Sequence, residues 1–556
     1  MKLAIIDRFC RTDFTSYEDF YDHFSINVPE NFNFAFDVVD EIAAVRPEKL
    51  ALAWCDDHGD ERFFTFSDLS CLSNKAANYL KSLGIGRGDA VMLILKRRHE
   101  YWYTALALHK IGAVLIPATH QLTVKDIEYR IKAANVKMIL SVNDDATCPF
   151  IAQAQEECAG ILKVKATLGE REGFENFTEG LLRACDRFSR PTGADAVNPD
   201  DTMLMYFTSG TTGMPKMVIH DFRYPLAHIL TAKFWQDLRD TDLHLTVAET
   251  GWAKCSWGKI YGQWICEAAI FVYDYGTRFH PVDLLRLISK YKITTFCAPP
   301  TIFRFFIKED LSQYDLSSLR ASYIAGEPLN AEVFNQWFKA TGLKMREGFG
   351  QTETAVLVAT FPWISPKPGS MGRPSPHFNT TLLDSEGRVC EAGEEGEICI
   401  DMRNGRPVGL FKGYYADPEK TASVMYGGWY HTGDLAWSDE DGYFWFIGRN
   451  DDVIKSSGYR IGPFEIESAL IEHPAVLETA ITAVPDPVRG QIVKATIVLA
   501  KGFRPSDALK KELQDHVKRV TAPYKYPRII EFVDELPKTI SGKIKRVDIR
   551  QKDSGQ

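Results

Sequence analysis

Apolar and polar positions along the first part of the chain predict helices and strands in turn. Over residues 67–80, Leu69, Leu72, Ala76 and Leu80 fall on one helical face, and Gly84 follows as a C-cap signal. Residues 90–95 (AVMLIL) form the short unbroken apolar run of a strand buried on both faces. A helical segment comes next, then AVLIP from Ala113. Thr123 and Asp126 have the spacing of a capping box that opens another helix, and residues 136–142 read as the next strand. Repeated strand–helix alternation predicts a parallel or mixed sheet covered by helices.

Around residues 380–450 the pattern changes to short strands punctuated by glycine: GEEGEICI, GLFKGYY and GYFWFIGR. These predict an antiparallel subdomain. Within it, residues 439–442 (DEDG) read as a hairpin turn, because a calcium loop starting at Asp439 needs an acid where Asn450 stands. After Arg449 the chain restarts as an α+β unit. Pro463 opens a helix with Ile466, Ala469 and Leu470 on its apolar face. Strands follow at 478–484 and 491–499. A helix from near Ser506 carries Leu509, Leu513, Val517 and Val520, and a last strand begins at Arg528. The predicted architecture is α/β and α+β. A large N-terminal domain (1–448) of helix-covered sheets includes a small barrel-like antiparallel subdomain. Residues 449–451 join it to a small C-terminal domain (452–556).

Composition narrows the class. At 556 residues the chain is multidomain, and 45% apolar with 25% charged residues is globular. A net charge of −9 argues against nucleic acid as a partner. The eleven cysteines form no Cys-x-x-Cys pair, which argues against structural zinc and for a reducing compartment. The N-terminal apolar stretch is too short for a signal peptide, and no run approaches a membrane span. A cytoplasmic location is the expectation. Homo-oligomerisation stays open.

Chemistry concentrates first at residues 206–216 (YFTSGTTGMPK). Thr208, Ser209, Gly210, Thr211, Thr212 and Gly213 bring hydroxyls and close backbone approach to an oxygen-rich anion, and Lys216 adds positive charge. The spacing is not that of a nucleotide-hydrolase P-loop. Five more segments follow in order: 325–328 (AGEP), 347–354 (EGFGQTET), 430–434 (YHTGD), 448–463 (GRNDDVIKSSGYRIGP) and 537–543 (PKTISGK). Each alone is a turn or surface-loop composition.

Together they resemble the signature set of the acyl-adenylate-forming (AMP-binding) superfamily, which includes acyl-CoA synthetases, adenylation domains of peptide synthetases and beetle luciferases. The resemblance runs from about residue 35 to 550. Residues 251–264, 296–301, 485–490 and 521–528 look like medium-chain acyl-CoA synthetases of the archaeal and bacterial type. It implies an AMP-forming ligase that joins a carboxylic acid to ATP and passes the acyl group to coenzyme A. A carboxylate is already ionised at neutral pH and needs no general base, which suits a chain without a Ser-His-Asp or Cys-His signature. The enzyme's task is to supply positive charge and positioning.

Carried over residue by residue, the resemblance implies these roles. Residues 208–216 hold the β- and γ-phosphates. Gly326, Glu327 and Pro328 line the adenine, Phe349 stacks on it, and Glu347, Gly348, Gly350 and Gln351 border the nucleotide. Thr352 bonds the α-phosphate, and Glu353 contacts Mg²⁺. Asp434 accepts the ribose hydroxyls with Arg449 beside it. Lys543 bridges α-phosphate and carboxylate. Asp451 is the hinge about which the small domain turns to admit coenzyme A. Ser457, Gly458 and Tyr459 then line the pantetheine tunnel, and Arg460, Arg489, Lys518, Tyr526 and Arg528 meet its phosphates, joined by Gln121.

For the acyl pocket, Gly350 stands where acetyl-CoA synthetases have Trp, which implies a channel several carbons deep and acids longer than acetate. Trp252, Lys254, Trp257 and Gly258 form the far wall. Lys254 caps the pocket end, limits chain length or meets a polar group on the acid, or else snorkels to the surface. Branched, aromatic and straight-chain acids all fit. Two alternatives are a stand-alone enzyme loading a carrier protein and a catalytically silent binding protein. Arg489 and residues 526–528 favour coenzyme A over the first, and the intact Thr352, Glu353, Asp434, Arg449 and Lys543 argue against the second.

Overall fold

The computed structural model describes residues 4–208, 214–276, 279–327, 329–456, 459–538 and 544–553, which form four sheets. The first, eight-stranded, has at its centre the parallel strands Thr202–Thr208, Val114–Pro117, Ala90–Ile94 and Val136–Ser141, in that spatial order. Local chemistry sets the helices between them. Thr65 caps helix Phe66–Ser82, its hydroxyl accepting the Asp68 N–H at 3.1 Å while the Asp68 carboxylate accepts the Thr65 N–H at 2.8 Å. That helix is C-capped by Leu83, and Gly84 just beyond takes φ +79°. Thr123 and Asp126 close the same reciprocal cap on helix Val124–Ala134. Helix Glu100–Ile111 is apolar nearly all round and buried from Tyr101 to Ile111.

A nine-stranded sheet carries the site. Leu50–Asp56, Ala269–Asp274, Leu243–Thr246, Thr295–Ala298, Ala321–Ala325 and Met345–Gly350 run parallel in that order. Val356–Ala359 turns back antiparallel at one side. The candidate segments 325–327 and 347–353 leave the carboxyl ends of adjacent parallel strands, where open α/β sheets bind ligands.

The third sheet is antiparallel, as expected: Thr380–Leu383, Glu395–Asp401, Trp429–Ser438, Met425–Tyr426 and Phe444–Arg449. The 439–442 turn joins two of its strands, with Gly442 at φ +76° and the Asp439 carboxylate accepting the N–H groups of Asp441 and Tyr443. GLFKGYY does not belong to this sheet. Its Gly413–Tyr414 pairs with Lys216–Asp221 at the edge of the eight-stranded sheet. The pairing is long-range, so spacing alone assigned the segment to its sequence neighbours.

The last sheet comprises Ile454–Ser456, Tyr459–Ile461, Val476–Asp486, Gly490–Leu499 and Ile529–Phe532. Helices Pro463–Ile471 and Asp507–Val520 close a core of their own around Ile461, Ile466, Leu470, Ile481, Val493, Leu513 and Val517. Among the described residues no helix is long and apolar enough to cross a membrane.

Candidate active site

The phosphate-loop candidate lies between two paired strands. Strands Thr202–Thr208 and Lys216–Asp221 pair antiparallel, with Thr208 opposite Lys216 and Tyr206 opposite Val218. The apolar flanks are therefore sheet, as expected. Ser209, Gly210, Thr211, Thr212 and Gly213 lie outside the described residues. Lys216 is half-buried with Nζ 5.3 Å from the centre of the Tyr414 ring. Burial pushes its pKa down, Lys420 adds to this, and Glu353 opposes it. Tyr414 donates its hydroxyl to Glu353 Oε1 at 3.0 Å. Sequence reasoning missed Tyr414, because only the long-range pairing of Gly413–Tyr414 brings it there.

Segment 351–353 meets the antiparallel sheet at Asp434. Gln351 Nε2 donates to the Thr432 carbonyl at 2.8 Å and to Asp434 Oδ2, while Tyr430 donates to Gln351 Oε1 at 2.6 Å. Asp434 is buried and sits directly across the ladder from Arg449, whose NH1 lies 3.4 Å from its Oδ1. A second brace supports the turn before Asp434. Glu397, Cys399 and His431 have ligand atoms within 4.8 Å of one another. His431 Nδ1 is 2.9 Å from Glu397 Oε2, and the other Glu397 oxygen accepts the Gly433 N–H at 2.8 Å. The His220 ring fixes Thr352 from below, with Nε2 2.8 Å from the Thr352 carbonyl.

On the adenine side, Gly326 takes φ +99° directly after Ala325, a conformation that favours glycine. Glu327 accepts the Thr301 hydroxyl at 2.9 Å, with Arg304 at 3.4 Å. Pro328 lies outside the described residues. Phe349 is half-buried against Phe446, ring centres 6.2 Å apart. A side chain on Gly348 would run into Trp235, 2.5 Å from the missing Cβ. Glu347 is buried inside the strand, which pushes its pKa up to about 8, with the Leu329 N–H pulling the other way. It is thus neutral at pH 7 in the fold and ionised when unfolded. Stability from this group is complete below its ordinary value of 4.5 and is lost as pH rises towards about 8. In that window the wild type should lose about 1.4 kcal/mol per pH unit relative to Glu347→Gln. Urea midpoints of the two proteins at pH 5.5, 6.5 and 7.5 check this, and parallel curves would refute it.

The acyl wall departs from expectation. The space beside Gly350 is not empty. The indole of Trp257 occupies that space, Cη2 2.4 Å from where a Cβ at 350 would stand, and the Ala355 carbonyl is equally near. Any larger residue at 350 therefore displaces backbone before it edits chain length. Trp257 is buried on the six-residue helix Ala253–Gly258, with Trp252 half-buried at the N-cap. Gly258 lets that helix press on Thr246, whose Oγ1 is 2.2 Å from the missing Cβ. Lys254 does not snorkel outward: its Nζ donates to the Ala325 carbonyl at 2.8 Å, tying the wall to the adenine strand.

Beyond Arg449 the chain enters the small sheet. Arg449 Nε is 3.8 Å from half-exposed Asp451, and Asp452 accepts Arg550 at 2.6 Å. The structure gathers part of the expected coenzyme A set. Lys518 Nζ lies 4.2 Å and the Arg528 guanidinium 4.8 Å from the centre of the Tyr526 ring. Arg489 is exposed in the turn before Gly490, which pairs with Ser456, and Tyr459 stacks on Tyr524 at 4.2 Å. Arg460 lies on the strand beside Tyr459, opposite Lys455. Gln121 is exposed, and no hydrogen bond, ion pair or ring contact among the described residues joins it to the others. Ser457, Gly458 and Lys543 lie outside the described residues. Lys538 and Ile544, on either side of the stretch that contains Lys543, pair with each other.

Residues 39–415 match the AMP-binding enzyme family, and residues 465–543 match the AMP-binding enzyme C-terminal domain. The chain belongs to the AMP-binding enzyme family. Over 551 residues it is 44% identical to the acyl-coenzyme A synthetase ACSM3, mitochondrial, of Mus musculus, covering 97% of this chain and 94% of that protein. It is 44% identical over 539 residues to ACSM5, mitochondrial, of Homo sapiens, covering 95% and 92%. Among solved structures, the anthranilate CoA ligase AuaEII with anthranoyl-AMP superimposes with TM-score 0.85 at 31% identity, covering 95% of this chain and 98% of that one. Brucella canis acyl-CoA synthetase gives 0.74 at 31% identity, covering 97% and 99%. The protein is accordingly an acyl-CoA synthetase acting on a carboxylic acid, ATP and coenzyme A. A carboxylate oxygen bonds to the α-phosphorus as pyrophosphate leaves. The coenzyme A sulfur then bonds to the acyl carbon as AMP leaves.

The relatives overturn the cytoplasmic expectation. They are named as mitochondrial proteins and match nearly the whole chain. Scattered free cysteines speak for a reducing compartment; they do not distinguish one reducing compartment from another.

Proposed function

We propose that this acyl-CoA synthetase activates acids longer than acetate, medium-length, branched or aromatic, in a pocket ended by Trp257, and that two domain arrangements serve its two steps. The observation that carries the reading is the convergence of Lys216, Gln351, Glu353, Asp434 and Arg449 at the strand ends, a short step from Gly350 and Trp257. Asp434 receives the ribose hydroxyls, which a carboxylate accepts well. Thr208 to Lys216 hold the outer phosphates, and Thr352 the α-phosphate. The Glu353 carboxylate, held by Tyr414 beside Lys216, is the hard oxygen donor that suits Mg²⁺ arriving with ATP. Lys543 offsets charge as the acid meets the α-phosphate. The 452–556 domain then turns about Asp451, carrying Lys543 away and bringing Tyr459, Arg489, Lys518, Tyr526 and Arg528 to coenzyme A. AuaEII acts on an aromatic acid, which favours a flat ring against the Trp257 indole here.

Chain-length selection tests the pocket. Trp257→Ala removes a buried indole, and each CH₂ then buried adds about 0.8 kcal/mol, or roughly fourfold in affinity. The optimum should move about three to four carbons longer, with kcat/KM for decanoate rising at least tenfold. An unchanged profile from butyrate to tetradecanoate would place the end of the pocket elsewhere.

A further inference from the structure

The bulge that carries Asp434 gathers three ligand-bearing side chains beneath it. Strands Glu395–Asp401 and Trp429–Ser438 pair Cys399 with His431 and Glu397 with Leu435, so four steps along one strand match two along the other. The surplus forms the turn with Gly433 at φ +74°. Glu397 and Cys399 stand two apart on one strand and so share a face, and His431 lies directly across from Cys399. Tyr426 stacks flat on the His431 ring, centres 3.8 Å apart. Cys399 is buried, while the side chains of His431 and Glu397 keep 13% and 19% of their surface, which leaves the group open to solvent at one edge. Among the described residues this is the one trio of His, Cys, Asp or Glu side chains whose ligand atoms all lie within 4.8 Å of one another.

Hydrogen bonds alone do not satisfy the trio. His431 Nδ1 is 2.9 Å from Glu397 Oε2 and 3.4 Å from Cys399 Sγ. It carries either one proton or one lone pair. With the proton it donates to the carboxylate, and the thiol loses it as an acceptor. With the lone pair it accepts from the thiol and confronts the carboxylate oxygen instead. Neither tautomer serves both neighbours. A cation among the three takes a lone pair from each. Bonds of about 2.0–2.3 Å to a tetrahedral Zn²⁺ place the ligand atoms roughly 3.3–3.6 Å apart, close to the spacing here.

We propose that Cys399, His431 and Glu397 bind one Zn²⁺ through Sγ, Nδ1 and Oε2, with water at the fourth position on the open edge. Binding expels the thiol proton to solvent, and the imidazole keeps its own proton on Nε2. One thiolate and one carboxylate neutralise the ion, as a half-buried place requires. A thiolate and an imidazole select Zn²⁺ over Mg²⁺, which prefers oxygen ligands alone, so this site is chemically distinct from the one assigned to Glu353. The other Glu397 oxygen accepts the Gly433 N–H at 2.8 Å, so the metal pins the turn that presents Asp434.

The test uses the whole protein, stripped with a chelator and titrated with Zn²⁺ against a chromophoric competitor, without nucleotide. One equivalent should bind and should withstand a large excess of Mg²⁺. Cys399→Ser and His431→Gln should each weaken binding by about 100-fold or more, and Cys185→Ser, which removes an exposed thiol elsewhere, should leave it unchanged. Co²⁺ offered to the wild type needs no variant to fold: it should give a thiolate-to-metal charge-transfer band and the strong visible bands of a four-coordinate ion. The inference is overturned by the absence of stoichiometric binding, by displacement with Mg²⁺, by a Co²⁺ spectrum without the thiolate band, or by equal affinity in Cys399→Ser and the wild type.

Discussion

Lys543→Ala should lose adenylation by about 10²–10³-fold yet still convert supplied acyl-AMP and coenzyme A to acyl-CoA. An ionised acid approaches a triphosphate in the first step, and one cation aimed at the forming bond supplies a large part of the stabilisation. On the two-arrangement proposal the second step, which starts from an uncharged acyl carbonyl, takes place with the small domain turned and the lysine away. The two steps read separately: pyrophosphate release without coenzyme A for the first, thioester formation from synthetic acyl-AMP for the second. Equal loss of both would mean that Lys543 supports the fold or serves both arrangements, and the rotation about Asp451 would fall with it.

Asp434→Ala should raise the KM for ATP about 100-fold and remove discrimination against ATP analogues that lack ribose hydroxyls. The carboxylate is buried, faces Arg449 across the ladder at 3.4 Å and receives Gln351. Hydrogen bonds to a charged acceptor contribute about 1.5–3 kcal/mol each, and truncation also strands the Arg449 guanidinium. Deoxy-ATP should therefore be a poor substrate for the wild type and as good as ATP for the variant. A variant that kept the penalty for deoxy-ATP would move the ribose contact to another residue.

What was legible in the sequence was what short-range chemistry determines. The Thr123–Asp126 cap, the strand of residues 90–94 and the helix opened by Pro463 each depend on residues within one or two turns of one another. So did the motif set, because glycine and carboxylate spacing within a single loop reflects what that loop must hold. What failed was long-range. Tyr414 reaches Glu353 only because Gly413–Tyr414 crosses to the eight-stranded sheet. The filling of the Gly350 space by Trp257 joins two segments far apart in the chain, and a glycine in sequence cannot say what stands beside it. Cys399 and His431, 32 residues apart, had no spacing signature, since only the bulged ladder brings them together.

The central claim, a thioester-forming ligase for acids longer than acetate, is tested most directly by AMP release with ATP, Mg²⁺ and coenzyme A. The panel runs from acetate to octanoate with 2-methylbutyrate and benzoate. The account predicts coenzyme A-dependent AMP release that peaks at four to eight carbons or at a branched or aromatic acid, with acetate at least tenfold lower. A peak at acetate, or acyl-AMP that accumulates without passing to coenzyme A, would contradict it.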